Sequence, residues 1–350
     1  MVLNEVTATV STKGRYNTTL PLVLTSLANQ TARPGRLIIY DDNPTLEDLR
    51  NNEIYRNLFG LLNRVGINWE VKVGGRRGQI INHQRALEDV TSEWIWRLDD
   101  DNVMESNTLK GLTDYAFSDK KIGAVGPLIL DPKNEILSSK LGSNRMQDIF
   151  LGLNIQWMAK HDTKVVDVDH LQGSTFLFRK KAGEHGYDLN LSRVGHREET
   201  IFTYEMKRAG WRLSVLTDIK TWHMRYGAGG IRSQNDIKLF ESDEKIFYSY
   251  LNKWNIAISK VKVIPLNSGI GDHYAFRNAL PAIKKKYNDH RLIIGACYPD
   301  VFAEDTGIEI VSLAESEVLA NSDENNIYAW MDKHNWKRSL AEAYKAKYTS

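Results

Sequence analysis

Over its first hundred residues the chain alternates β-branched apolar runs with amphipathic ones, and this alternation limits its fold more than any other feature. VTATVS (6–11), RLIIYDD (36–42), INWEVKVGG (67–75) and EWIWRLDDD (93–101) read as strands, rich in β-branched and aromatic residues. Between them, TTLPLVLTSLANQ (18–30), LEDLRNNEIYRNLFGLLNRVG (46–66) and GQIINHQRALEDVTSE (78–93) read as helices. Such repetition argues for a parallel sheet with helices on both faces. Ligands of such sheets bind beyond the carboxyl ends of the strands. Asp41 and Asp42 stand at one such end, and Asp99, Asp100 and Asp101 at another.

The pattern then loosens. KIGAVGPLILD (121–131) is a strand, residues 133–170 are irregular with a short strand at KVVDVDH (164–170), and GSTFLFRKKAGEHG (173–186) is a strand leading into a short helix. HREETIFTYEMKRAGW (196–211) reads as a helix stopped by Gly210, RLSVLTDIKTWHM (212–224) as one or two strands, and 232–256 as a polar helical bridge. A second alternation follows: KVKVIPLN (260–267), the glycine turn NSGIGD, a helix HYAFRNALPAIKKKY (273–287), strands RLIIGACY (291–298) and IEIVSL (308–313), and one closing helix over 326–348. The expected division is therefore 1–231, a bridge at 232–259, and a partial Rossmann-like unit at 260–350. A length of 350 residues fits two such units.

A formal net charge of +2 gives no ground for a nucleic-acid partner. The one cysteine, Cys297, excludes an intrachain disulfide and a cysteine zinc cluster, and is compatible with a reducing cytoplasm. No apolar run is long enough to span a bilayer, so no transmembrane segment is expected.

The chemistry centres on the three aspartates. Like charges side by side repel and call for compensation. An isolated acidic triplet is most simply a solvated turn, but hard divalent cations also favour carboxylate oxygens and bind substrate phosphates through their remaining positions. Glu198 and Glu199 open a predicted helix, where the macrodipole favours carboxylates whatever their function. Read alone, His223 is a half-buried histidine and Arg76-Arg77 a solvated basic turn.

Taken together, five motifs in order over 5–230 resemble the GT-A glycosyltransferases of family 2: VSTKGR (10–15), RLIIYDDNPT (36–45), the helix and acidic strand of 78–102, the pair of segments 171–191 and 195–211, and WHM (222–224). The resemblance implies a GT-A fold and a hexosyltransferase-like, metal-dependent, inverting glycosyltransferase acting on a nucleotide-sugar donor, with uracil the favoured base, and a glycan or glycoconjugate acceptor. On it, Ser11, Thr12 and Arg15 line the nucleotide end, Asp42 reads the base, and Arg76, Arg77 or Gln79 lies near base or ribose. Asp100 approaches the ribose beside Asp99, and Asp101 with His223 binds Mn2+ or Mg2+. Glu199 aligns with the family's catalytic base; the family has Glu-Asp where this chain has Glu198-Glu199, so both glutamates remain candidates. The implied location is cytoplasmic, or peripheral to a membrane through the acceptor. A different class of function is a degenerate transferase domain that binds nucleotide-sugar or glycan without turnover. Residues 260–350 resemble the N-terminal half of GT-B glycosyltransferases of the heptosyltransferase type, through GIGD and the ALPAIKKKY helix, with Asp272 the residue a base would occupy. Tyr274 replaces the third glycine of the dinucleotide fingerprint, which argues against NAD.

Overall fold

The carboxyl ends of three adjacent parallel strands hold most of the acidic residues singled out above. The structure, a computed structural model, describes residues 1–350 apart from 44, 46, 47, 76, 77, 133–145, 150–163, 226, 228, 231–235, 259, 314, 315, 317–325 and 350. Arg76, Arg77 and much of the irregular stretch 133–170 therefore lie outside the described residues. The chain divides into two units, Met1–Ile256 and Ala257–Ser350.

The first unit begins β1 (Val2–Thr12), α1 (Thr19–Ala28), β2 (Arg33–Asp41), α2 (Glu53–Arg64), β3 (Asn68–Val73), α3 (Gln79–Asp89), β4 (Trp94–Asp99). It continues β5 (Asn102–Met104), α4 (Thr108–Ala116), β6 (Ile122–Leu130), β7 (Val165–Asp167), β8 (Thr175–Arg179), α5 (Glu198–Arg208), β9 (Arg212–His223) and α6 (Ile237–Lys253). The sheet runs β3-β2-β1-β4-β8-β6-β9-β5, with β7 on β9. β1 pairs in parallel with both β2 and β4, placing Thr12 opposite Asp41 and Ser11 opposite Asp99. β8 runs antiparallel between β4 and β6, so the sheet is mixed. Side chains alternate along β4. Trp94, Trp96 and Leu98 join the main apolar cluster, while Ile95, Arg97 and Asp99 point to the other face.

Some departures from expectation have local causes. The predicted helix of 46–66 is broken, because Asn52 caps α2 by accepting a hydrogen bond from the Ile54 N–H (2.9 Å). α4 was not expected, although its buried Leu109, Leu112, Thr113 and Ala116 have helical spacing. β9 is one long strand whose register against β6 shifts at Pro127/Leu128. Helix α6 lies within Met1–Ile256. Its fully buried Asp243 accepts hydrogen bonds from the Ser192 N–H (2.7 Å), the Ser192 hydroxyl (2.8 Å) and the His196 N–H (2.9 Å).

The second unit holds β10 (Lys260–Leu266), α7 (Ile270–Lys286), β11 (His290–Ala296), β12 (Glu309–Ser312), α8 (Ile327–Lys333) and α9 (Leu340–Thr349). Its three strands are parallel in the order β10-β11-β12, over a core that includes Ile264, Phe276, Ile294 and Tyr344. The single closing helix expected over 326–348 is two. Asn335 takes a left-handed backbone (φ 49°), and Ser339 and Glu342 form a reciprocal cap before α9. No helix among the described residues is long and apolar enough to cross a membrane.

Asp243→Ala should lower the stability of the first unit by about 1–3 kcal/mol, the cost of leaving buried donors without an acceptor. An unchanged urea midpoint would remove Asp243 as the anchor of the 192–196 loop.

Candidate active site

Three parallel strands and the start of α5 surround a cleft of about 690 Å³. From β1 and its following loop come Ser11, Thr12, Lys13 and Arg15; from β4 and its turn, Arg97 and Asp99–Asp101. The far wall holds Glu198, Glu199, His170 and Gln172, and β9 supplies His223. Gln79 lines it too. Asp42 is not among the described lining residues. It is buried and braces the loop before α3, accepting from the Gly78 N–H (3.3 Å) and from Asn82 Nδ2 (3.3 Å), and Asn82 also donates to Ser11 Oγ (2.8 Å).

The aspartates are compensated unequally. Arg15 Nη1 lies 2.6 Å from Asp100 and 2.9 Å from Asp101. Burial opposes the charged guanidinium, but the two carboxylates outweigh it and raise its pKa. β5 pairs antiparallel with β9 and sets Asn102 opposite His223, bringing His223 Nε2 to 3.4 Å from Asp101. Burial pushes the Asp101 carboxyl up; His223 and Arg15 overcome that and hold it below the usual range. Asp100 is raised, with burial prevailing over Arg15. Asp99 is pushed up to about 7 by burial and by the neighbouring Asp101 and Asp100 charges, against the pull of Arg97 and His223.

Asp99, Asp101 and His223 each offer a ligand atom, all within 4.8 Å of one another. The donor set fits a divalent cation: the carboxylates suit Mg2+ or Mn2+, and the imidazole suits a transition metal better than Mg2+.

The two glutamates are placed differently. Glu198 is buried and receives a bidentate ion pair from the equally buried Arg97, one arm at 2.9 Å from Nη1. Arg97 is raised far above its ordinary value because Glu198 outweighs the cost of burial, and its guanidinium lies 5.3 Å from the Phe176 ring. Glu199 is half-buried and makes no salt bridge or side-chain hydrogen bond among the described residues. Gly173 packs on its side chain so closely that a Cβ there would lie 3.2 Å from it. Arg197, just before α5, is left-handed (φ 69°), a strained backbone for arginine; Glu244 of α6 holds it at 3.2 Å.

Lys13, Arg97, His170, Gln172 and Arg197 line the cleft without having been read from sequence. Lys13, Arg97, Gln172 and Arg197 lie within the motifs quoted above and His170 just before one, but spacing alone does not single them out.

A mixed α/β sheet with acidic strand ends facing a carboxylate-bearing helix start is the arrangement of a GT-A glycosyltransferase. The model of the family described as "Glycosyltransferase like family 2" matches residues 23–235, more than half of the chain. The chain belongs to that family. Among solved structures, the fold is similar to that of GalNAc-T7 with UDP, GalNAc and Mn2+ (TM-score 0.51, 15% identity, 86% of this chain and 56% of that one). S. aureus TarS 1–349 aligns at TM-score 0.46 and 16% identity over 99% of this chain and 89% of that one. The chain spans little more than half the length of the GalNAc-T7 chain. No curated protein matches the sequence.

Arg97→Met should destabilise the protein by about 3–5 kcal/mol by leaving Glu198 charged, buried and alone, and adding Glu198→Leu should recover most of the loss. Chemical denaturation checks both; a double variant as unstable as the single one would refute the pairing. A pH dependence follows from two buried histidines. Burial holds His83 well below its ordinary value and His170 at about 4. Once unfolded, both take up a proton near pH 6.5 (roughly). The unfolded chain thus binds more protons below that pH, so their contribution is full above it and is lost as pH falls towards 4. Asp99, raised when folded, acts in the opposite sense over the same range. The comparison is therefore between proteins: His83→Phe and His170→Phe should each flatten the acid limb of Tm against pH relative to wild type.

Proposed function

We propose that the protein moves a sugar from a nucleotide-sugar donor, a UDP-sugar for preference, to a hydroxyl of a glycan or glycoconjugate acceptor, in one cation-dependent step that inverts the anomeric centre. The observation that carries this reading is the Asp99–Asp101–His223 group in the same cleft as the Glu199 carboxylate, which makes no salt bridge among the described residues. Glu199 would take the proton of the acceptor hydroxyl as its oxygen attacks the anomeric carbon. The bond to the nucleotide diphosphate breaks and its electron pair leaves with the diphosphate. A cation held by Asp99, Asp101 and His223 would supply Lewis-acid stabilisation of that leaving charge. Ser11, Thr12, Arg15, Gln79 and Asp100 would bind the nucleotide-sugar, with Asp42 acting on the base through the loop it braces. Arg76 and Arg77 keep the same assignment from family resemblance alone. Glu198, clamped by Arg97, would position the helix start instead of accepting a proton. That GalNAc-T7 was crystallised with UDP, GalNAc and Mn2+ supports uracil and manganese at the level of fold. A hexose as the transferred group and Mn2+ ahead of Mg2+ belong to the same proposal, as does a cytoplasmic location.

For the C-terminal part we keep the heptosyltransferase-like GT-B half as a proposal, supported by three parallel strands and a helix opening at the glycine turn. The boundaries 1–231, 232–259 and 260–350 stand on the same footing.

A panel of sugar nucleotides with Mn2+, scored for turnover, tests the whole. Glu199→Gln should leave donor binding intact and lower transfer roughly a hundredfold or more, the usual scale for a positioned base. Asp101→Asn should lose cation-linked nucleotide binding. Full activity in EDTA would end the cation-dependent reading, and nucleotide binding without turnover would make the protein a binding module.

A further inference from the structure

His170 is left without a role by the mechanism above, yet it lines the cleft and is only 6% exposed. Among the described residues, neither of its ring nitrogens has a hydrogen-bond partner of normal geometry. The adjoining Leu171 backbone makes a contact of hydrogen-bond type that pulls the ring pKa up, but it is too poorly aligned to satisfy either nitrogen. The segment carrying it is nonetheless firmly placed. The Val168 N–H donates to the Leu213 carbonyl (3.0 Å) and the Leu171 N–H to Thr203 Oγ1 (3.0 Å). Thr203 in turn donates to the Glu199 carbonyl (2.7 Å), so the His170 segment is tied to the helix turn that bears Glu199.

Two orphaned nitrogens on a buried ring are costly unless something pairs them. We propose that His170 binds a sugar hydroxyl, that of the acceptor lying against Glu199, as both donor and acceptor of hydrogen bonds. The ring is suited to this. Burial keeps it neutral at physiological pH, with Glu199 pulling its pKa up and Arg197 pulling it down, short of offsetting burial. A neutral imidazole has one N–H and one lone pair, which match the lone pair and O–H of a hydroxyl. The Glu199 carboxylate is left free to take the proton. This inference rests on the glycosyltransferase reading; the donor sugar's hydroxyls are the other source of the same chemistry.

The test uses the full chain and three variants, His170→Phe, His170→Leu and His170→Gln. Without ligand, the Phe or the Leu variant should melt at or above the wild-type Tm, because an unpaired polar ring has been replaced by apolar bulk. A fall in Tm for both would mean that His170 has a structural partner, and would overturn the proposal. Activity is read with UDP-glucose, UDP-galactose, UDP-N-acetylglucosamine and UDP-N-acetylgalactosamine as donors and the methyl glycosides of the same sugars as acceptors. The Phe variant should raise the acceptor KM at least tenfold, with the donor KM within twofold of wild type, and Gln should restore much of the loss. A change in the donor KM instead, or in neither, would overturn the acceptor assignment. Failure of the glycosyltransferase reading would show separately, as no turnover by the wild-type protein, and the Tm arm would still decide whether the ring is unpaired.

Discussion

The buried Arg97–Glu198 pair ties the site together. Arg97 occupies a position on the strand β4 where the pattern of a buried sheet calls for an apolar residue. Two residues further on, Asp99 begins the acidic triplet, and one residue beyond Glu198 stands Glu199. The pair therefore joins the two halves of the chemistry through the backbone on either side of it. An apolar pair of similar volume would serve stability as well. A bidentate guanidinium–carboxylate contact adds orientation, since its two parallel hydrogen bonds tolerate little rotation.

The acidic triplet is compensated in an order set by the strands. Arg15, in the loop after β1, answers Asp100 and Asp101 because β1 and β4 are neighbours in parallel register. His223 answers Asp101 because the three residues of β5 fold back on β9. Asp99 makes no salt bridge among the described residues, and burial, with its two acidic neighbours, pushes its carboxyl up. The charge left over faces the cleft, where a cation would remove it.

Much of this was legible in the sequence, and the boundary of legibility is physical. Period-two and helical spacing indicated the elements of the first hundred residues; of the strand ends that the motif order put in one site, those of β1, β4 and β9 line the cleft, and Asp42 at the end of β2 is not among the described lining. The pattern could not show where a helix breaks. Asn52 and Asn335 each act through one local side-chain or backbone preference inside an otherwise helical stretch. The S-x-x-E of Ser339–Glu342 was readable as a helix start and would have split the final helix. β5 is three residues long, too short for any period to register. Glu198 and Glu199 could not be separated from spacing, because what separates them is Arg97, a hundred residues away. Asp243 and His170 were out of reach for the same reason: one is defined by the loop it binds, the other by the partners it lacks among the described residues.

The make-up of the cleft wall bears on inhibitor design. Glycines aside, its described lining includes only two aliphatic side chains, Ile149 and Val194, among many that carry charge or hydrogen-bonding groups. A greasy compound would find little to lie against, and would bury donors and acceptors without pairing them. Selective small molecules for this protein would therefore have to be polar, matched to the charged and hydrogen-bonding groups of the wall instead of filling apolar volume.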